Sequence, residues 1–238
     1  MSTNVSINKV KEWIINEIKE ERIQPGESLP GAYDLSRLLD VKTGEVNEAI
    51  HELVTEQIIT QNFGEGAYVK TIRPFFYPLH ELVSINQMIE EKGYRSGTHF
   101  LSLDEEVASS HDCDVLNIEP EADITVIERI RTANDEPVVY CLDKVPTAIL
   151  SAQEYQSHER SILKAIELSS DCNITYARTE IESISYEPYI SEALNANPHD
   201  ALMLLKQIHY DSNDKPILYS LNYLKSSLVK FQTIRKRL

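Results

Sequence analysis

The sequence predicts an α+β chain of two domains, and three observations carry that reading. Two short segments with helical apolar spacing, Ala32 to Leu39 and Thr43 to Glu56, are separated only by Asp40-Val41-Lys42, the turn length of a helix-turn-helix. Ile58 to Thr60 and Ala67 to Val69 then flank a turn containing Gly64 and Gly66, which reads as a β-hairpin. Beyond residue 78, short strand-like segments alternate with helical ones. At 238 residues and 42% hydrophobic content, the chain is long enough for two cores of ordinary size.

The first helix is expected from Val5 to Glu20. Ile7, Val10, Trp13, Ile14 and Ile18 recur at spacings of three and four and form one apolar stripe, with Trp13 as a core anchor. Pro25-Gly26 and Leu29-Pro30 break it. The second helix is expected to bury Leu35, Leu38 and Leu39, and the third Val46, Ile50, Leu53 and Val54. That leaves Lys42, Thr43, Glu45, Asn47 and Glu48 near the end that would enter a major groove. Glu45 and Glu48 can accept from a cytosine amino group, and Asn47 can pair with adenine. Helix, helix-turn-helix and hairpin together make a winged helix over residues 1–70.

Residues 71–78, with Pro74 and the Tyr77-Pro78 pair, read as a linker to a second domain over 79–238. Leu79 to Lys92 has helical spacing and ends at Gly93. Thr98 to Leu103 is strand-like, Glu105 to Leu116 helical, and Ile124 to Thr132 alternates as a strand. A turn at Ala133-Asn134-Asp135-Glu136 leads into the next strand, Pro137 to Lys144. Ser161 to Ser169 reads as a helix, Thr175 to Ser185 as a strand and Tyr189 to Ala196 as a helix. Ala201 to Asp211 and Lys215 to Leu224 form a last hairpin turned at Ser212-Asn213-Asp214, followed by a basic tail with Lys230, Arg235, Lys236 and Arg237.

The first domain resembles the amino-terminal domain of GntR-superfamily bacterial transcription regulators. The matching residues are Ile23-x-Pro25-Gly26-x-x-Leu29-Pro30, Leu35, Leu38-Leu39-x-Val41, Val46-x-x-Ala49-Ile50-x-x-Leu53 and Gly64-x-Gly66-x-x-Val69. The resemblance implies a homodimer whose winged helices sit on two half-sites of a double-stranded DNA operator. Tyr33, Arg37, Lys42, Thr43, Glu45, Asn47, Gly64 and Gly66 are the expected DNA-contacting set. Departures from the family fall on these positions. Gly31-Ala32-Tyr33 stands where the family usually has Ser-Glu-Arg. Val41-Lys42-Thr43-Gly44-Glu45-Val46-Asn47 stands where it carries Val-Ser-Arg-x-Thr-Val-Arg at the start of the recognition helix, so Thr43 and Asn47 replace its arginines. Gln61 and Asn62 precede the wing in place of arginine. The guanidinium groups that would fork onto guanine edges or phosphates are missing there.

The second half resembles the ligand-binding UTRA domain of the HutC branch of the same superfamily, an α+β fold built on an antiparallel sheet. Ile89-x-x-x-Gly93, Leu116-x-Ile118, Arg129-Ile130-Arg131 followed by Glu136-Pro137-Val138, Val145-Pro146, and Lys215-Pro216-Ile217-x-Tyr219-Ser220-x-x-Tyr223 carry the match. Arg129 and Arg131 correspond to the paired arginines that take the phosphate in sugar-phosphate-binding relatives. Alternate residues on a strand share a face, so both guanidinium groups can converge on one anion. They can equally pair with carboxylates such as Glu180 or Glu182. If they hold an effector, Arg129→Ala is expected to abolish the response without unfolding the chain. Cys141, Leu218 and Ser226-Ser227 stand where relatives have acidic residues or Gly-Asp, which disfavours an amino sugar phosphate and leaves a smaller or more apolar anion. Tyr140, Tyr176, Tyr219 and Tyr223 are candidate lining residues; as half-buried sheet residues they have an equally ordinary role.

The net charge is −15, and residues 1–72 hold seven Lys plus Arg against twelve Asp plus Glu, a net of −5. That sign opposes non-specific affinity for phosphate backbones. Cys113, Cys141 and Cys172 are far apart and lack CxxC spacing, so reduced thiols are expected rather than disulfides or zinc. No apolar run approaches the roughly 20 residues of a membrane span, and no signal segment opens the sequence, so a cytoplasmic protein is expected. No P-loop, GxGxxG, HExxH or GxSxG is present, and the seven histidines show no ligand spacing, so neither an enzyme nor a cofactor is expected. The leading function is a transcription regulator, a repressor, controlled by a small-molecule effector. The alternative is a ligand-binding or protein-interaction module with a degenerate winged helix.

Overall fold

The computed structural model describes residues 3–56, 58–62, 66–70, 72, 74–157, 161–196 and 201–234. These fall into two compact units, Met1–Pro74 and Phe75–Leu238.

The first unit contains α1 (Thr3–Lys19), α2 (Ala32–Leu39), α3 (Thr43–Thr55) and the antiparallel strands β1 (Ile59–Asn62) and β2 (Gly66–Val69). One apolar stripe from each helix builds its core: Ile7, Val10 and Ile14 meet Leu35, Val46, Ile50 and Leu53, with Ile59 and Val69 closing it from the wing. Trp13 packs half-buried against that core. The Pro-Gly stretch, which begins six residues after α1 ends at Lys19, becomes a third rung of the wing: Gly26 N–H donates to the Val69 carbonyl (2.8 Å) and Leu29 N–H to that of Ala67 (2.7 Å). The turn between α2 and α3 starts at Asp40, whose left-handed φ of 50° closes α2. Leu38, expected in the core, is instead 61% exposed. Leu35 and Leu39, four apart, already fill the inward face of this eight-residue helix.

The second unit is built on a six-stranded antiparallel sheet. In chain order its elements are β3 (Phe75–Pro78), α4 (Ile85–Glu91), β4 (Ser96–Val107), α5 (Ser110–Leu116), β5 (Asp123–Ala133), β6 (Glu136–Pro146), α6 (Ala152–Gln156), α7 (Ile162–Ser169), β7 (Tyr176–Ile184), α8 (Pro188–Ala193), β8 (Leu202–Tyr210), β9 (Pro216–Lys225) and β10 (Val229–Gln232). The sheet order is β4-β5-β6-β9-β8-β7, and β3 pairs in parallel with β10 outside it. The β5-β6 hairpin turns on Asn134 and Asp135 with φ of 46° and 68°, the two positive values a tight hairpin requires.

Several segments differ from the sequence reading. Residues 75–78, read as linker, form β3 because their backbone finds a ladder on β10, itself unforeseen in the tail. Residues 79–84 are not helical: the Ser84 hydroxyl accepts from Gln87 N–H (3.2 Å) and sets the start of α4. Glu105 to Val107 extend β4 along β5, and the helix starts only after Ser109, whose side chain and that of Asp112 form a reciprocal cap. An equivalent Ser151–Glu154 cap starts α6, which the sequence reading missed. Gly64, Arg235, Lys236 and Arg237 lie outside the described residues. Among the described residues, no helix is long and apolar enough to cross a membrane.

Candidate functional site

Side-chain alternation and register together decide what this sheet presents on each face. Arg129 on β5 faces Cys141 on β6, Cys141 faces Asn222 on β9, and Asp143 faces Ser220, which faces Gln207 on β8. Leu218 faces His209. Paired residues in antiparallel strands point the same way, so one sheet face carries a row of polar side chains running across four strands. That row floors a cavity of about 460 Å³ including its open mouth. Its walls are Tyr77, residues 82–85 leading into α4, and Ser161, Ile162 and Leu163 at the start of α7.

The polar floor is buried. Arg129 is 2% exposed and Arg131 3%, with Asp143, Gln207, His209, Ser220 and Asn222 similarly covered. Arg129 Nη2 donates to Asp143 Oδ2 at 2.6 Å, and its Nη1 donates to the Tyr155 hydroxyl. Asp143 Oδ1 accepts from Ser220 Oγ (2.5 Å). Arg131 donates through Nη1 to Thr98 Oγ1, and among the described residues it meets no carboxylate. The Nε atoms of both arginines have no protein partner there. Asn222 Nδ2 donates to Gln207 Oε1 (3.1 Å), and Gln207 Nε2 to Thr179 Oγ1 (3.0 Å).

The electrostatics are those of a site short of one negative charge. Burial works against the Arg129 cation, yet Asp143 holds it above its usual range. Arg131 is lowered to about 10 by burial and then by repulsion from Arg129, and stays charged at neutral pH. Burial pushes the Cys141 thiol up to about 11 and Tyr77 up to about 12, so both are neutral. Burial also lowers His209 to about 4. Two cations thus face one carboxylate in a region of weak screening. Among the described residues, the first turn of α7 at the wall has no side-chain cap, and its amide N–H groups add partial positive charge.

The structure brings Arg129 and Arg131 together and leaves the four tyrosines elsewhere. Tyr140, Tyr219 and Tyr223 alternate with Cys141, Leu218, Ser220 and Asn222, so they project from the opposite face. Tyr140 packs edge-on against Tyr189 and Tyr223 and donates to Glu128. Tyr219 packs against His111. Tyr176 stacks on Tyr210 at 4.9 Å and donates to Asp214 (2.9 Å). Neither Glu180 nor Glu182 pairs with the arginines; Glu182 binds Lys206 (2.7 Å), while Asp143 supplies the carboxylate. Asp143, Ser220, Asn222, Gln207 and His209 were missed. The signal was available: steps of two from Cys141 and Leu218, positions matched to ligand-binding residues in relatives, lead to Asp143, Ser220 and Asn222.

In the first unit, Lys42, Thr43 and Asn47 are exposed at the start of α3, and Arg37 lies over the 66%-exposed Tyr33 with its guanidinium carbon 6.0 Å from the ring centre. Glu45 is half-buried, and its carboxylate accepts from Lys42 N–H at 3.0 Å, a cap on the helix start. Gly66 opens β2 with φ of 102°, a conformation that disfavours other residues.

Comparisons with known proteins agree with both halves. Residues 6–69 match the gntR family of bacterial regulatory proteins, and residues 91–230 match the UTRA domain. The HTH-type transcriptional regulator YurK of Bacillus subtilis (strain 168) is 27% identical, over 94% of this chain and 92% of its own length. The mannosyl-D-glycerate transport/metabolism system repressor MngR of Escherichia coli (strain K12) is 23% identical, over 96% of this chain and 95% of its own. The crystal structure of PhnF from Mycobacterium smegmatis shares the fold with a TM-score of 0.64 at 17% identity, covering 95% of this chain and 99% of that one. The winged helix in the first unit and the antiparallel sheet in the second are thus found together over nearly the full length of these proteins. The chain belongs to the UTRA domain family, whose match spans more than half of it, and joins that effector-binding domain to an amino-terminal domain of the gntR type, which makes it a transcription regulator and not an enzyme.

Proposed function

We propose that this regulator, of the HutC branch, binds a two-fold-symmetric operator as a cytoplasmic homodimer, represses transcription, and is released by a small oxyanion held in the sheet cavity. Residues 1–70 would carry the operator contacts, residues 79–238 the effector and the dimer, and residues 71–78 the connection. The observation that carries the effector reading is the buried pair Arg129 and Arg131 facing the single carboxylate of Asp143. An oxyanion bonded by Arg131 and the first turn of α7 restores the balance. MngR's role as a repressor supports the direction of regulation. The effector must bind the operator-competent and operator-incompetent states with different affinity, since equal affinity shifts no population.

The test is selection of duplexes from a random pool by the purified protein, at low and moderate salt, followed by melting of the protein with inorganic phosphate. Enrichment of a two-fold-symmetric motif and a phosphate-dependent rise in Tm are expected. A folded dimer that enriches nothing would overturn operator binding; an unmoved Tm would count against the oxyanion. The second reading, a winged helix that no longer reads DNA, draws on the start of α3, where Glu45 is engaged as a cap and no guanidinium is present. That reading leads instead to no enrichment, with the phosphate effect intact.

A further inference from the structure

The two edges of the six-stranded sheet are built differently. At one edge, β4 carries a bulge between Phe100 and Ser102 and the like charges Asp104, Glu105 and Glu106, devices that discourage pairing with another strand. At the other, β7 runs from Tyr176 to Ile184 in unbroken register on β8 and holds no proline, glycine or lysine. Among the described residues only β8 pairs with it, so the backbone N–H and C=O groups of alternate residues point outward along about 30 Å.

The side chains of that strand fit a second copy of the same strand. Arg178 and Glu180 are exposed on one face, and among the described residues neither is in an ion pair; Lys206, opposite Glu180 in register, binds Glu182 instead (2.7 Å). On the other face Ile181 is 41% exposed. A two-fold axis normal to the sheet that joins two antiparallel copies of β7 passes through one residue, and paired residues lie equally far from it on either side. With Thr179 on the axis, Arg178 meets Glu180 of the partner subunit twice over, and Ala177 meets Ile181 of the partner subunit. Every other register that overlaps five residues or more of β7 opposes like charges: Arg178, Glu180 or Glu182 meets its own copy, or Glu180 meets Glu182 of the partner subunit. Directly opposed like charges are destabilising, so the charges select Thr179.

We propose that two copies of the chain join edge to edge along β7, antiparallel about Thr179, so that their two sheets run on as one. This rests on the homodimer reading above and names where the subunits meet. The backbone ladder supplies most of the adhesion, because exposed ion pairs contribute little, and the two Arg178–Glu180 pairs fix the register.

Dimer dissociation constants of the full chain, measured by analytical ultracentrifugation at low salt, test this with charge reversals. Arg178→Glu opposes like charges on both sides of the axis and is expected to weaken the dimer about ten- to a hundredfold, as is Glu180→Arg. The double variant restores opposite charges and is expected to return to within about threefold of the wild type. A single reversal that leaves the constant unchanged, or a double variant no tighter than either single one, overturns the proposal. Melting of each variant confirms that it folds. Cross-linking reads the register: two copies of Thr179→Cys stand about 5 Å apart at Cα and are expected to form an intersubunit disulfide on mild oxidation. Two copies of Ala177→Cys stand about 14 Å apart and are expected to form none. The wild type, with Cys113, Cys141 and Cys172, sets the background. A dimer in which Thr179→Cys stays unlinked, or Ala177→Cys links as fast, overturns the β7 contact alone. A wild-type chain that sediments as a monomer at every concentration overturns the homodimer reading and this contact with it.

Discussion

Arg129 and Asp143 lie on neighbouring strands, each 3% exposed at the side chain, and meet at 2.6 Å. The pair is diagonal: Arg129 is in register with Cys141, two residues from Asp143, so the guanidinium leans along the strand to reach its carboxylate. Loss of one partner from a buried pair leaves the other uncompensated, at a cost of about 3–5 kcal/mol. Asp143→Asn is therefore expected to melt well below the wild type. Because it frees a second guanidinium, phosphate is expected to raise its Tm by more than that of the wild type. An equal rise in both would show that Asp143 does not compete with an anion for Arg129.

The two arginines are expected to behave differently when removed. Arg129→Ala, which the sequence alone presents as a fold-neutral test of effector binding, strands Asp143 and is expected to destabilise by about 3–5 kcal/mol. Arg131→Met removes a buried cation that has no carboxylate partner among the described residues. Its ligand-free stability is expected to equal or exceed that of the wild type, while the phosphate-dependent rise in Tm disappears. Urea melts of both variants with and without phosphate separate the two roles.

His209 sets an acid limb on stability. Its folded pKa is depressed to about 4 from 6.5, so its contribution is fully present above pH 6.5. As pH falls from there toward 4, the unfolded chain takes up a proton that the folded chain refuses, and on the order of 3 kcal/mol is lost. His209→Leu is expected to flatten that limb, read as the difference between urea melts of the two proteins from pH 8 to pH 4.

Glu45 and Asn47 separate capping from reading. Glu45→Ala is expected to cost about 0.5–2 kcal/mol of stability through loss of the bond to Lys42 N–H. Glu45→Gln, which still satisfies a capping box, is expected to leave the selected DNA motif unchanged. Asn47→Ala is expected to relax the motif at one position. A changed motif in Glu45→Gln would make Glu45 a base reader after all.

The winged helix was legible because its signals are local: apolar stripes of period three to four, a three-residue turn and paired glycines all lie within 70 residues. The long strands β5, β6, β8 and β9 showed through alternation for the same reason. What escaped depended on distant partners or on small caps. β3 and β10 are four residues each and are strands only because they find one another across 150 residues of chain. The starts of α4, α5 and α6 were set by Ser84, Ser109 and Ser151, whose hydroxyls outrank the apolar periodicity around them. At the site, Arg129 and Arg131 were visible as a strand pair, but their surroundings required the register. Tyr140 and Asp143 are three apart on β6, and the faces of the sheet alternate with every residue, so the tyrosine projects away from the cavity that the carboxylate lines.

The parallel pairing of Phe75–Pro78 with Val229–Gln232 bears on where this binding module can be cut from its chain. Tyr77 reaches the cavity from β3, and its ring packs against Phe231 on β10 with centroids 5.7 Å apart. A fragment trimmed to the family match, residues 91–230, omits β3 and residues 82–85 and keeps only half of β10. Such a fragment would retain the buried arginines while opening their cavity to water along one wall. The portable piece is residues 75–232; its end strands run parallel, so the chain enters at one end of the four-residue ladder and leaves at the other, roughly 11 Å apart, a gap that connectors of a few residues span.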